Sequence, residues 1–146
     1  MSVTREDIIK TYPKLFPSKY GYPNVDNGWL PLIDKFCKTI QNYVDFNNLK
    51  QPVFTTIKSK FGGLRLHLEN HNNVIKHLSI EYERMSYRIC ESCGTTENVG
   101  RTDRWAITCC EKCYNDKLKD KYVWSVSTEQ YKDFINSTKD KENDNI

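Results

Sequence analysis

The stretch Val53-Phe-Thr-Thr-Ile-Lys-Ser-Lys-Phe-Gly62-Gly63-Leu-Arg-Leu-His-Leu-Glu69 decides the fold. Its first half alternates Val53, Thr55, Ile57, Ser59 and Phe61 with Phe54, Thr56, Lys58 and Lys60. Its second half alternates Leu64, Leu66 and Leu68 with Arg65, His67 and Glu69. A period of two is the signature of a half-buried strand. Glycine tolerates the positive φ of tight hairpin turns, so Gly62-Gly63 predicts a two-residue loop. That loop pairs Phe61 with Leu64, Ser59 with Leu66 and Ile57 with Leu68 on one apolar face. On the other face it sets Lys60 opposite Arg65 and Lys58 opposite His67.

Outward from the hairpin the period becomes helical. Residues 29–46 repeat Trp29, Leu32, Ile33, Phe36, Cys37, Ile40, Tyr43 and Val44 at steps of three and four, with Pro31 acceptable in a first turn. A second helix is predicted over 72–88, with Val74, Leu78, Tyr82, Met85 and Ile89 as its stripe. Thr4 and Asp7 fit a capping pair that opens a short helix over 4–12, ended by Pro13. Residues 13–28, rich in Pro, Gly and Asn, read as an irregular connection. The expected class is α+β: two main helices on a small antiparallel β-sheet. Two strands alone are marginal, and a third is expected from 95–108 or 122–127.

Five of the six cysteines crowd into residues 90–113, as Cys90-Glu-Ser-Cys93-Gly and Cys109-Cys110-Glu-Lys-Cys113. Secreted disulfide frameworks spread their cysteines and follow an export signal. Residues 1–10 mix charges with apolar residues and have no apolar signal-peptide core, and no run approaches the roughly 18 apolar residues of a membrane span. The expectation is a reducing, cytoplasmic setting and one structural zinc ion held by Cys90, Cys93, Cys110 and Cys113. Two Cys-x-x-Cys turns would converge four thiolates into a tetrahedral, ribbon-like site closed to water. Cys109 could replace Cys110 only by breaking the two-residue spacing, and iron in the same cage is the other metal that thiolates allow. Cys37, on the apolar stripe of 29–46, reads as a small buried hydrophobe. A paired-knuckle HNH nuclease is excluded, because no histidine follows His77.

The chain then divides into an α+β part over 1–89, a cysteine module over 90–121 and a C-terminal extension over 122–146. Helix is expected over 114–121 and 128–136, an extended segment over 123–127, and a flexible end from 137.

The formal charge of +3 falls to about +1 once four thiolates surround a divalent ion. Between residues 81 and 121, eight basic residues balance eight acidic ones. Phosphate binding needs accumulated positive charge, so the module reads as a fold element, although Arg101 and Arg104 could act locally. The hairpin differs, with Lys50, Lys58, Lys60 and Arg65 and no acidic residue from 50 to 68. Lys58, Lys60, Gly62, Gly63, Arg65 and His67, with Arg101 and Arg104, form the candidate binding set. His67 alone could serve as a base, but no nucleophile or carboxylate pair accompanies it at a recognisable spacing.

Four ordered blocks carry a resemblance across residues 12–113. They are Gly28-Trp29-Leu-Pro-Leu-Ile-Asp34-Lys-Phe-Cys37, Lys60-Phe-Gly-Gly-Leu-Arg65, Cys90-x-x-Cys93-Gly, and Arg101-x-x-x-Trp105-x-x-Thr108-x-Cys110-x-x-Cys113. Together they resemble a family of small proteins encoded by tailed bacteriophages and bacteria, many ending the last block in histidine where this chain has Cys113. The resemblance favours Cys110 as the ligand and implies no activity. The expected function is a non-enzymatic, phage-encoded zinc protein that binds a host or phage protein. Nucleic-acid or nucleotide binding through the basic hairpin face is the alternative, and an enzyme centred on His67 the second.

Overall fold

The computed structural model describes residues 2–125. The expectations for 128–136, for 137–146 and for the end of 123–127 lie outside them.

Helix α1 (Arg5–Thr11) opens on a reciprocal cap: Asp7 N donates to Thr4 Oγ1 at 3.1 Å, and Thr4 N donates to Asp7 Oδ2 at 3.0 Å. Two orphan donors are satisfied at once, and Ile8 is left facing the core. Strand β1 (Pro23–Asn24) follows, then helix α2 (Leu30–Phe46), which buries Leu32, Ile33, Phe36, Cys37, Ile40 and Val44 as its period requires. Cys37 is fully buried, and burial, with Asp34 beside it, pushes its thiol far up.

Strands β2 (Val53–Lys60) and β3 (Gly63–Glu69) pair antiparallel, but not in the expected register. The turn residues are Phe61 and Gly62, at φ 55° and 78°. Lys58 therefore faces Arg65, Ser59 faces Leu64 and Ile57 faces Leu66. The two-residue shift keeps Ile57, Ser59, Leu64 and Leu66 on one face, but it takes Phe61 off that face, away from Leu64 and into the turn, where it is exposed. A bulge between Phe54 and Thr56 also inverts the alternation, which buries Phe54 in place of Val53 or Thr55.

The third strand is not drawn from 95–108 or 122–127. It is β1, parallel to β2 in the order β1-β2-β3. The turn leading into β1 approaches β2 closely: a methyl on Gly21 would lie 2.2 Å from Phe54 O. The segments expected to supply that strand form a second sheet, order β5-β4-β6, from β4 (Val99–Thr102), β5 (Thr108–Cys110) and β6 (Trp124–Ser125).

Helix α3 (Asn73–Ser86) buries Ile75, Ser79 and Ser86, while Val74 and Met85 of the expected stripe are 47% and 45% exposed. The face is rotated because α3 covers the free edge of β3. Leu64 N donates to Ser86 Oγ at 3.0 Å and Leu66 N to Glu83 Oε2 at 2.8 Å. Edge N–H groups need acceptors, and the residues that supply them are polar. Helix α4 (Glu111–Lys117) begins before the predicted 114 and ends before 121. Among the described residues, no helix is long and apolar enough to cross a membrane.

Candidate metal centre and basic hairpin face

The first cysteine pair lies in a tight knuckle. Gly94 takes φ +82°, Gly94 N donates to Cys90 O at 3.0 Å and Cys90 N to Thr95 O at 2.9 Å. The second pair is a different device. Cys110 is the N-cap of α4, and Cys113 N donates to Cys110 Sγ at 3.4 Å. No glycine follows Cys113, so the chain continues as helix through Tyr114 instead of turning back. The module is thus knuckle, hairpin and helix, not a ribbon of two knuckles.

The Sγ atoms of Cys90, Cys93, Cys110 and Cys113 lie within 4.8 Å of one another, with Cys93 and Cys110 3.8 Å apart. Zinc–sulfur bonds of about 2.3 Å at tetrahedral angles place sulfurs about 3.8 Å apart. A disulfide would need about 2.05 Å, and all six cysteines are free. Cys109, also buried, points away from the cluster, because neighbours on a strand face opposite sides. Burial raises the Cys90 thiol, but the N–H groups of Cys93, Cys110 and Ser92 bring it down to about 7. Burial and the neighbouring thiols push Cys113 up to about 12. Four such sulfurs lack the positive charge that would let them ionise together, and a divalent cation supplies it. The cluster could hold one metal ion, and four protein ligands would leave no position for water.

The module is fixed to the α+β part through backbone contacts. Gly28 N donates to Glu91 O at 2.8 Å, and a methyl on Gly28 would lie 2.1 Å from Cys90 O. Trp29 Nε1 donates to Ile89 O at 2.9 Å. Glu91 and Thr108 bind reciprocally: Thr108 N to Glu91 Oε2 at 2.7 Å, and Glu91 N to Thr108 O at 2.9 Å. Thr108 Oγ1 then donates to Gly62 O in the hairpin turn. Burial pushes the Glu91 carboxyl up to about 7, against the hydrogen bonds from Thr108 and Ser59. Sequence reasoning missed Glu91, because a glutamate inside Cys-x-x-Cys looks like a solvated knuckle residue.

The remaining candidates separate. Lys58, Lys60 and His67 are exposed, as is Arg104 at φ 57°. Gly62 and Gly63 are buried. Arg65 and Arg101 are half-buried and act together on Tyr87, with Arg65 also bearing on Glu83. Tyr87, another residue the sequence did not point to, lies over Gly63. His67 faces Thr56, not Lys58. Partial burial, then Lys58, Arg65 and Lys60, hold its imidazole below the usual value, with no carboxylate among these influences. Two surface hollows lie elsewhere, both beside Cys93.

Comparison with protein-family models, with curated proteins and with solved structures finds no match. Function has to be read from the chemistry of these side chains.

Proposed function

We propose that this chain is a non-catalytic binding protein in which a structural zinc ion fixes the cysteine module to the α+β part. Its working surface is the basic face of β2 and β3, which meets an anionic partner: an acidic surface of a host or phage protein, or a nucleic acid. The observation that carries the reading is the four-sulfur cluster, whose 3.8 Å spacing suits a closed tetrahedral ion. A closed site supports a role in holding structure, and function then falls to exposed side chains. Lys58 and Lys60 have Arg65 beside them and no acidic residue on either strand before Glu69. Zinc is favoured over iron as the common tenant of closed tetrahedral cysteine sites. The setting we propose is the reducing cytoplasm of a bacterial cell, with the chain phage-encoded and accessory, as the resemblance implies.

Metal analysis should give one zinc per chain, without the visible absorption of an iron–thiolate site. Affinity capture from the bacterial cytoplasm should retain a species that Lys58→Glu/Lys60→Glu loses. Equal recovery by both proteins would refute the basic-face reading.

A further inference from the structure

The two sheets bring together two hairpin tips that are far apart in sequence. One is Lys60-Phe61-Gly62, between β2 and β3. The other is Arg104-Trp105-Ala106, between β4 and β5. Thr108 Oγ1 donates to Gly62 O, and a methyl on Gly62 would lie 3.5 Å from Ala106 O. Each tip carries an exposed aromatic ring beside a cation: Phe61 is 65% and Trp105 71% exposed, and Lys60 Nζ lies 5.5 Å from the Phe61 ring centre. The second tip is pinned from below, because buried Thr102 donates through Oγ1 to Trp105 O at 2.6 Å and accepts from Ile107 N at 2.9 Å.

Folding alone does not account for these side chains. Phe61 and Arg104 both occupy the left-handed region, at φ 55° and 57°. That region costs a bulky residue free energy and suits Gly or Asn. Asn-Gly is the favoured dipeptide in such a turn, yet an exposed phenylalanine stands there. Several acids of the module are engaged or gathered elsewhere. Glu97, Glu111 and Asp116 line, together with Lys112, one hollow beside Cys93 and Cys110. Asp103 accepts from Val123 N at 2.9 Å, and Glu81 pairs with Arg84. Lys60 lies by the Phe61 ring, Arg104 precedes Trp105 in the second tip, Lys58 faces Arg65, and Arg65 and Arg101 both act on Tyr87.

We infer that the paired tips form a stacking platform for single-stranded nucleic acid, with Phe61 and Trp105 receiving bases and the flanking lysines and arginines receiving phosphates. The inference rests on the basic-face reading and names its ligand. Exposed rings between cations match unstacked bases on a flexible backbone. A duplex hides its base faces and offers the rings nothing.

The test uses the zinc-loaded full chain and anisotropy of end-labelled oligonucleotides of about 20 nucleotides: single-stranded DNA, single-stranded RNA and the matching duplex. Single strands should bind more tightly than duplex, with affinity falling steeply as salt rises. Phe61→Asn keeps the turn while removing a ring, and Trp105→Ala removes the other. Each should weaken single-strand binding roughly 5- to 100-fold. The DNA and RNA arms identify the natural strand. Equal affinity for duplex, or native affinity in both ring variants, would overturn the platform. In that case, loss of binding in Lys58→Glu/Lys60→Glu alone would leave the basic-face reading standing. Absence of oligonucleotide binding at about 50 mM salt would overturn it too, and a protein whose capture depends on both rings would assign them to a protein partner.

Discussion

Gly63→Ala should destabilise the fold by about 2–3 kcal/mol, for a reason unrelated to turn geometry. Among the described glycines only Gly62 and Gly94 take positive φ, so Gly63 does not need glycine's backbone freedom. It needs the absence of a side chain. A methyl there would lie 2.0 Å from Tyr87 Oη, 2.2 Å from Cζ and 2.7 Å from Cε1. Tyr87 is only 4% exposed, so its ring must leave a filled site. Overpacking costs about 1–3 kcal/mol, and full displacement forfeits the roughly 1.5–3 kcal/mol of a buried large side chain. A double-mutant cycle separates this from a generic strand effect. Tyr87→Ala alone should cost about 3–5 kcal/mol by analogy with other aromatic truncations. In that background Gly63→Ala should cost nothing, or return about 0.5–1 kcal/mol by reducing the freedom of the unfolded chain. Urea unfolding of the four zinc-loaded proteins gives a coupling of about 2–4 kcal/mol if the ring is the reason. Equal costs in the two backgrounds would refute the reasoning.

Chelation, or Cys93→Ser, should release the knuckle and α4, read as lost helical circular dichroism and altered tryptophan emission; an intact fold after metal loss would show that the site is not structural. Cys109→Ser should retain one zinc per chain, because that thiol lies outside the cluster. Glu83 is raised from its ordinary 4.5 mainly by burial, against the Leu66 N–H and Arg65. The folded state therefore holds this proton more tightly than the unfolded chain, and its contribution to stability is lost as pH climbs from about 4.5 through the raised value. Glu83→Gln should flatten that slope relative to the native protein in urea midpoints measured across the window, and matching slopes would remove Glu83 as its source. Phe61→Asn should raise stability by about 1 kcal/mol by relieving a left-handed aromatic; a lower melting temperature would mean that the ring packs.

What was legible in the sequence is what local rules determine. The Thr4–Asp7 cap, the α2 stripe and the four clustered cysteines, including Cys110 over Cys109, all follow from spacing within a few residues. The hairpin was legible as a hairpin, but its register was not. Pairing Ile57 with Leu66 or with Leu68 keeps these three on one face, and the two registers differ in the placement of the turn, which takes Phe61 out of the apolar set. Glycine at 63 pointed to the wrong turn residue because its reason, Tyr87, lies 24 positions away. The α3 face was misread because hydrophobicity carries no signal for Ser86 and Glu83, polar residues buried to serve the edge of β3. β1 spans two residues of an irregular stretch, too short for any period.

The four blocks of the resemblance converge on one seam. Gly28 and Trp29 of the first bind Glu91 and Ile89 around the third, Gly62 of the second accepts from Thr108 of the fourth, and Arg65 and Arg101 both act on Tyr87. A bound metal would then have an indirect part in the proposed binding. β5 carries both Thr108, which holds the hairpin turn, and Cys110, which would hold the ion. Losing such an ion would free β5 and with it the alignment of the two tips. Chelation should therefore abolish oligonucleotide binding although no ligand touches the metal. Cobalt(II), another divalent ion that thiolates bind, should restore both the fold and native affinity in the stripped protein. Restored fold without restored binding would mean that zinc itself meets the ligand, and the separation of metal from binding surface would be wrong.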